Sequence, residues 1–160
     1  MNYICVICVG RLKDRFFEEA SAEYEKRLKA FCRLEIVTVS PAALPENPNA
    51  AQIHTALEKE ADAIIKKIPP AARVYPLCIE GKRLSSEAFA QDLRQAALQG
   101  ASSAVFVIGG SHGLSERVKA LGVVRLSMSE MTFPHRLARI MLLEQIYRAF
   151  SINAGSKYHK

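Results

Sequence analysis

The residues best suited to chemistry lie near the C-terminal end of the sequence. His135, Glu144, Arg148, Tyr158 and His159 all fall between Pro134 and Lys160. Glu144 and Arg148 are four residues apart, the spacing of an ion pair on a helix. Glu144 otherwise interrupts an apolar surface made by Leu137, Ile140, Met141, Leu143, Ile146, Tyr147 and Phe150. A carboxylate in that company is either paired structurally or functional. The last residues, "KYHK", hold Tyr158, His159 and two lysines, groups that bind anions or transfer protons, although chain ends usually fray. Five cationic side chains (Arg136, Arg139, Arg148, Lys157, Lys160) stand against Glu144 alone in this stretch. That balance suits nucleic acid, and it also suits a solvated basic helix face.

Two loops add to this set. "VFVIGGSHGL", 105–114, runs from four apolar residues into Gly109-Gly110 and then Gly113. Adjacent glycines after a buried strand let a ligand approach the backbone closely. A Walker loop would need a Lys after its last glycine, and none follows here. The dinucleotide fingerprint needs glycines spaced G-x-G-x-x-G after the first strand, and these lie at 109, 110 and 113 after the fourth. A phosphate cradle is therefore disfavoured, and a plain tight turn is the simplest alternative. In "LSMSEMTFPHR", 126–136, Phe133 precedes a proline and is pushed to extended backbone, while Pro134 suits a first helical turn. Extended residues from Met128 to Phe133 expose backbone groups that can read an adenine edge without a charged side chain, or simply cap the helix.

Cys5 and Cys8 form a C-x-x-C, but "YICVICV" is apolar and β-branched, so it reads as a buried strand. Residues three apart on a strand face opposite ways, and no second C-x-x-C completes a zinc site. Buried thiols in a reducing compartment are expected, with no metal.

The elements that position these residues follow from periodicity. Strands are expected at 3–9, 34–39, 73–79, 104–108 and 123–127. Between them come helices: one after Gly10 with Phe16 or Phe17, Ala20, Tyr24, Leu28 and Phe31 on one stripe, one over about 51–68 closed by Pro69-Pro70, one capped by Ser85 or Ser86 and ended by Gly100, a short one at 114–121 and a last one over about 135–152. Pro76 places the third strand at an edge, or lets it pair fully on one side only. The proline-rich 40–49 and "EGKRLSS" read as loops. Strict alternation predicts an α/β domain around a mostly parallel sheet, with ligands beyond the carboxyl ends of the strands. Loops 80–84, 109–114 and 128–134 qualify.

At 160 residues the chain has the size of one domain and buries about two-thirds of its unfolded surface. Its 49% apolar and 24% charged residues are ordinary for a globular protein. No apolar run approaches the ~18–20 residues of a membrane helix, and no basic segment precedes an apolar one at the N-terminus. A cytoplasmic protein is expected, with no membrane partner. The net charge of +6 makes an anionic partner plausible.

"FVIGGSHGL", "LSMSEMTFPHRLARIMLLEQIYRAF", the terminal "YHK" and the opening "VGRLKDRFFEEASAEYEKRL" together resemble the RlmH family of SPOUT-class methyltransferases. The likeness runs in order along essentially the whole chain. It implies an α/β knot with a C-terminal trefoil over a single domain, 1–160, acting as a homodimer. It implies transfer of a methyl group from S-adenosylmethionine to N3 of a pseudouridine in large-subunit ribosomal RNA, on assembled ribosomes rather than on DNA. By the same resemblance Leu77, Gly109, Met128, Ser129, Glu130, Met131, Thr132 and Phe133 line the cofactor site. His135, Glu144, Arg148, Tyr158 and His159 surround the RNA side of the pocket. N3 is an imide nitrogen that must lose or share its proton, and His135 or His159 fits that task by type. Arg148, steadied by Glu144, would meet phosphate or carbonyl oxygens. Arg11, Lys13, Arg139, Lys157 and Lys160 are candidate RNA-backbone contacts. His112, inside the glycine loop, is assigned no chemistry. The alternatives are a non-catalytic RNA- or ribosome-binding factor, which would not bind S-adenosylmethionine, and a nucleotide-binding α/β enzyme, which would bind ATP or NAD.

Overall fold

Every residue of the first strand from Ile4 to Val9 is buried, so both faces of the sheet are covered. The computed structural model describes the backbone of residues 1–159 and the side chains of residues 1–158. Strands β1 (Tyr3–Val9), β2 (Arg33–Val39), β3 (Arg73–Arg83), β4 (Ser103–Ile108) and β5 (Leu126–Ser127) alternate with helices α1 (Arg15–Leu28), α2 (Ala50–Ile65), α3 (Ser86–Leu98), α4 (Glu116–Ala120) and α5 (His135–Asn153). A 3-10 turn, Lys157–His159, follows. The strands lie in the order β2-β1-β4-β3-β5 and every neighbouring pair is parallel. This is the α/β architecture expected from the alternation.

Strand periodicity divides the core in two. Ile4, Val6, Cys8, Tyr75 and Phe106 pack with Leu28 of α1, Phe89 and Leu93 of α3, and Leu142, Leu143 and Ile146 of α5. Cys5, Ile7, Val9, Val105 and Val107 pack on the other side with Ala61 and Ile64 of α2 and Val118 of α4. Cys5 and Cys8 thus lie in different core layers, as their spacing requires. Helices α2 and α3 start on side-chain caps, unexpected at Asn49 and expected at Ser85. The Asn49 side chain accepts from the Gln52 N–H and the Gln52 side chain accepts from the Asn49 N–H, at 2.9 Å each. Ser85 accepts from the Ala88 N–H at 3.1 Å, and Gly100 takes φ +91° after α3. No helix among the described residues is long and apolar enough to cross a membrane.

Three elements differ from expectation. β3 does not stop at 79 but continues to Arg83, so residues 80–83 are strand and not loop. The cause is long-range: Lys82 and Arg83 pair with Leu126 and Ser127, and the Lys82 N–H donates to the Arg125 carbonyl at 2.7 Å. Gly81 permits this approach, since a Cβ there would sit 2.6 Å from the Arg125 carbonyl oxygen. β5 is two residues long, because Val123 is exposed and only Leu126 and Ser127 reach β3. α2 ends at Ile65, and residues 66–68 form a further turn ahead of the prolines. Pro76 pairs with Val107 of β4 on one side, and the pairing to β5 starts only at Leu77. β3 is therefore interior, and the missing donor falls where it changes partners.

Candidate active site

Ligands of parallel sheets sit beyond the carboxyl ends of the strands, and here the ends of the neighbouring β3 and β4 border the site. β1 ends at Gly10, and β4 runs into Gly109. The loop after β4 folds back on itself: Gly110 and Gly113 form an isolated antiparallel bridge, with the Gly113 N–H donating to the Gly110 carbonyl at 3.1 Å. Gly109 is buried under this turn. A Cβ on it would lie 2.2 Å from the Gly113 carbonyl oxygen, so no larger residue fits without moving backbone. Gly113 sits at φ +78°, where glycine costs nothing.

This turn forms one wall of a cleft of about 740 Å³. Leu77, Cys78 and Ile79 of β3 form a second wall, and Met128, Ser129 and Met131–Pro134 form a third. His135, at the start of α5, closes the set. The volume is that of a site for a medium-sized organic ligand. Seven of the eight residues expected to hold a cofactor meet here: Leu77, Gly109, Met128, Ser129, Met131, Thr132 and Phe133. Glu130 does not line the cleft. Its carboxylate pairs with Arg83 at 2.7 Å on the surface. The segment is held by Ser127, whose hydroxyl lies 2.9 Å from the Ile79 carbonyl and 3.0 Å from that of Ser129, and by the Met131 N–H, which donates to the Ser129 hydroxyl at 3.0 Å.

Polar groups in the cleft are few. Glu80 and Lys119 pair at 2.5 Å, and Lys119 also reaches Glu116 at 3.1 Å, tying α4 to β3. The Lys119 hydrogen bond, aided by Glu80's own backbone N–H, holds the Glu80 carboxyl below its ordinary value. Burial and the adjacent Arg136 cation hold the His135 imidazole below its ordinary 6.5, so it is neutral at pH 7. Burial raises the Cys78 thiol. Cys78, Glu80 and Lys119 were not named from the sequence. Glu80 falls in the nominated stretch 80–84, Cys78 lies two residues before it on β3, and nothing local marks Lys119.

The other expected site residues form separate groups. The Glu144 carboxylate accepts from Arg148 Nε at 2.9 Å and Nη2 at 2.6 Å, from the Tyr158 hydroxyl at 3.4 Å, and on its second oxygen from Gln145 Nε2 at 2.6 Å. The Arg148 guanidinium lies 4.9 Å from the Tyr158 ring centroid, and that ring packs edge-on to Tyr147. Tyr24 of α1 joins this group: burial, then Tyr158 and Glu144, raise its phenol. Tyr24 and Glu144 also border a second recess of about 500 Å³, which shares Leu126 and Met128 with the cleft. Along α5, His135 and Glu144 are about 13 Å apart at ~1.5 Å per residue. The chain therefore does not bring His135 and the Glu144–Arg148–Tyr158 group into one site. Arg11 and Arg139 border a third recess, while Lys13 and Lys157 are exposed. The His159 side chain and Lys160 lie outside the described residues.

Residues 1–159 match the family described as "Predicted SPOUT methyltransferase". The chain belongs to the SPOUT methyltransferase family. It is also similar to the solved structure of a probable methylase family protein from Haemophilus influenzae Rd KW20. That likeness covers 99% of this chain and 70% of the other at 12% identity, with a TM-score of 0.51, and is one of fold. SPOUT methyltransferases generally use S-adenosylmethionine, and the cleft can be tested for fit. S-adenosylmethionine has no phosphate, and no Walker lysine stands in the 109–114 turn. The cleft offers backbone at Gly109, Met128, Ser129 and Met131–Phe133 and apolar side chains at Leu77, Ile79 and Phe133, walled by a turn that packs only with glycine at 109. These residues fit the cofactor.

Proposed function

We propose that this chain methylates N3 of a pseudouridine in large-subunit ribosomal RNA, on assembled ribosomes, as a homodimer. One observation carries the RNA part of the proposal. The cleft lined by backbone and apolar groups stands directly beside a cationic surface: Arg11 and Lys13 follow β1, and Arg136 and Arg139 follow His135. The acceptor atom and the ribosome rest on the resemblance to the RlmH family, as do the trefoil knot and the second copy of the chain.

Leu77, Gly109, Met128, Ser129, Met131, Thr132 and Phe133 would hold S-adenosylmethionine, which supplies an activated methyl group when bound. The chain's own residues then have three tasks. The first is to exclude water and hold the target base at the mouth of the cleft, which supplies rate through position alone. The second is to take the N3 proton. His135 Nε2 fits, because the imidazole is neutral and lines the cleft. The third is to balance negative charge spread onto the base's carbonyl oxygens, which suits the Arg148 guanidinium. With four donors on its carboxylate, Glu144 is a positioning residue that fixes Arg148 and Tyr158. The 13 Å between the two groups on α5 is bridged in this scheme by the second copy, whose tail meets the cleft of the first.

The test is transfer of labelled methyl from S-adenosylmethionine to ribosomes lacking the modification, beside free subunits and naked RNA. The wild type, a chain truncated after Gly155 and His159→Ala are compared. Label at N3 of a pseudouridine in the ribosome lane, lost on truncation, is the expected result. Cofactor binding without label on any RNA would overturn the substrate assignment. Absence of both would leave the non-catalytic binding factor.

A further inference from the structure

Segments 11–14 and 135–139 hold four cations, Arg11, Lys13, Arg136 and Arg139, against one carboxylate, Asp14. The fold brings them together. Arg136 Nη1 donates to Asp14 at 2.7 Å, and a Cβ on Gly10 would lie 3.7 Å from His135 Nε2. Between Arg11 and Arg139 is a recess of about 270 Å³ that Thr38, at the end of β2, also lines. Its other side is the face of α1 that carries Glu18, Ser21 and Glu25.

Arg136 and Arg139 each bury an Nε without an acceptor among the described residues, but Arg136 is paired through Nη1 with Asp14, which leaves Arg139. Neither Arg139 nor Arg11 has a hydrogen-bonding or ion-pair partner there. Of the two carboxylates that line the recess, Glu18 and Glu25, neither pairs with Arg11 or Arg139, and Glu25 accepts from the Ser21 hydroxyl at 2.7 Å. A buried guanidinium N–H without an acceptor is costly, and it persists where a ligand supplies one.

Position says what that ligand is. Arg139 follows His135 by one helical turn, so the two share a face of α5, about 6 Å apart along the axis. His135 lines the cofactor cleft, and Arg139 lines the recess. We propose that the recess between Arg11 and Arg139 binds one backbone phosphate of the RNA, next to the nucleotide whose base enters the cleft. The inference rests on the RNA substrate proposed above. A backbone phosphate offers two non-bridging oxygens, enough for the Arg139 and Arg11 guanidinium groups, with the Thr38 hydroxyl beside them. Glu18 and Glu25 repel a polyanion laid along α1, so the strand must come from the His135 side. A single phosphate is held, and its neighbours run over the cleft.

The test measures methyl transfer to ribosomes by the wild type, Arg139→Met, Arg139→Lys and Arg11→Met. KM for ribosomes, cofactor affinity and the dependence of kcat/KM on salt are followed together. Arg139→Met should raise KM for ribosomes about 10-fold while cofactor affinity stays within about twofold. The slope of log kcat/KM against log salt should fall by roughly 0.7–0.9, the signature of one lost phosphate contact. Arg139→Lys should restore the slope but only part of KM, because Lys is a point charge without the guanidinium fork. Arg11 is exposed, so Arg11→Met keeps the fold and should move both readouts in the same direction. If both Met variants keep wild-type KM and slope on ribosomes that the wild type methylates, the phosphate site is wrong and the RNA substrate stands. If the wild type transfers no methyl to any RNA, both are wrong.

Discussion

Replacing each glycine of the 109–113 turn by alanine should produce a ranked series that follows from backbone geometry. At Gly109 the new Cβ would meet the Gly113 carbonyl oxygen at 2.2 Å and its carbon at 2.5 Å. Ordinary contact begins near 3.4 Å, so the turn must move by about 1 Å, and backbone rather than a flexible side chain has to give. Overpacking of this kind costs about 2–3 kcal/mol. For a chain of 160 residues that lowers Tm by roughly 5–10 °C. The displaced turn is a wall of the cleft, so cofactor affinity should fall by about 10-fold or more, a loss of ~1.4 kcal/mol of contact. At Gly113 a Cβ meets nothing within 4 Å, but φ is +78°. Strain alone then costs about 1–2 kcal/mol, with a smaller loss of affinity. At Gly110 the Cβ would lie 3.4 Å from Val9 Cγ1 at an unstrained φ, so Gly110→Ala should stay within about 1 kcal/mol of the wild type. Denaturant unfolding and calorimetric titration with S-adenosylmethionine measure both quantities. Wild-type affinity in Gly109→Ala, or Gly110→Ala as the most damaged variant, would refute the packing argument.

The acid limb of methyl transfer should lie below pH 6.5, since burial and Arg136 depress the His135 pKa, and His135→Gln should abolish that limb in a pH–rate profile. The same depression makes a stability contribution that is complete above pH 6.5 and lost as the pH falls through the folded value, readable as a Tm difference from His135→Gln. Glu144→Gln weakens the double hydrogen bond to Arg148, so kcat should drop about 10-fold or more while cofactor affinity stays within about twofold, by single-turnover kinetics and calorimetry. Asp92→Ala strips Arg73 and the Tyr75 hydroxyl of a shared acceptor at 2.8 and 2.5 Å, remote from the cleft. It should cost about 1–2 kcal/mol in denaturant unfolding, because the pair is partly solvated, and leave cofactor affinity unchanged.

The layers of this fold were legible because burial on both faces leaves a plain record. "YICVICV" and "SAVFVI" are apolar at every position, as interior parallel strands require. The cap at Ser85 was equally readable, where a side chain meets the backbone three residues on, whereas the capping box at Asn49 was passed over inside a proline-rich loop. The extension of β3 was not readable. "EGKR" is polar and contains glycine, and it becomes strand only because Arg125 and Leu126, more than 40 residues later, supply the partners. The strand order lies beyond local pattern for the same reason. Within the site, two of the three regions nominated by topology, 109–114 and 128–134, line one cleft, while of 80–84 only Glu80 reaches it. Glu130 went the other way because Arg83, on that unforeseen strand, takes its charge. The tail residues were recognisable by chemical type, and the helix expected over about 135–152 already separated Glu144 from His135, which grouping them by resemblance passed over. Sequence does not reveal the orphaned Nε of Arg139, which needs coordinates.

Cys78 offers the most direct test of the central assignment, that S-adenosylmethionine occupies the cleft between Leu77, Gly109 and Met128–Phe133. It lines that cleft and is partly accessible, whereas Cys5, Cys8 and Cys32 are buried. The measurement is the rate of Cys78 alkylation, read by mass spectrometry, over a titration with S-adenosylmethionine. The expected result is saturable protection of Cys78, absent in Gly109→Ala. An alkylation rate that saturating S-adenosylmethionine leaves unchanged, in a chain that calorimetry shows to bind it, would place the cofactor elsewhere and contradict the account.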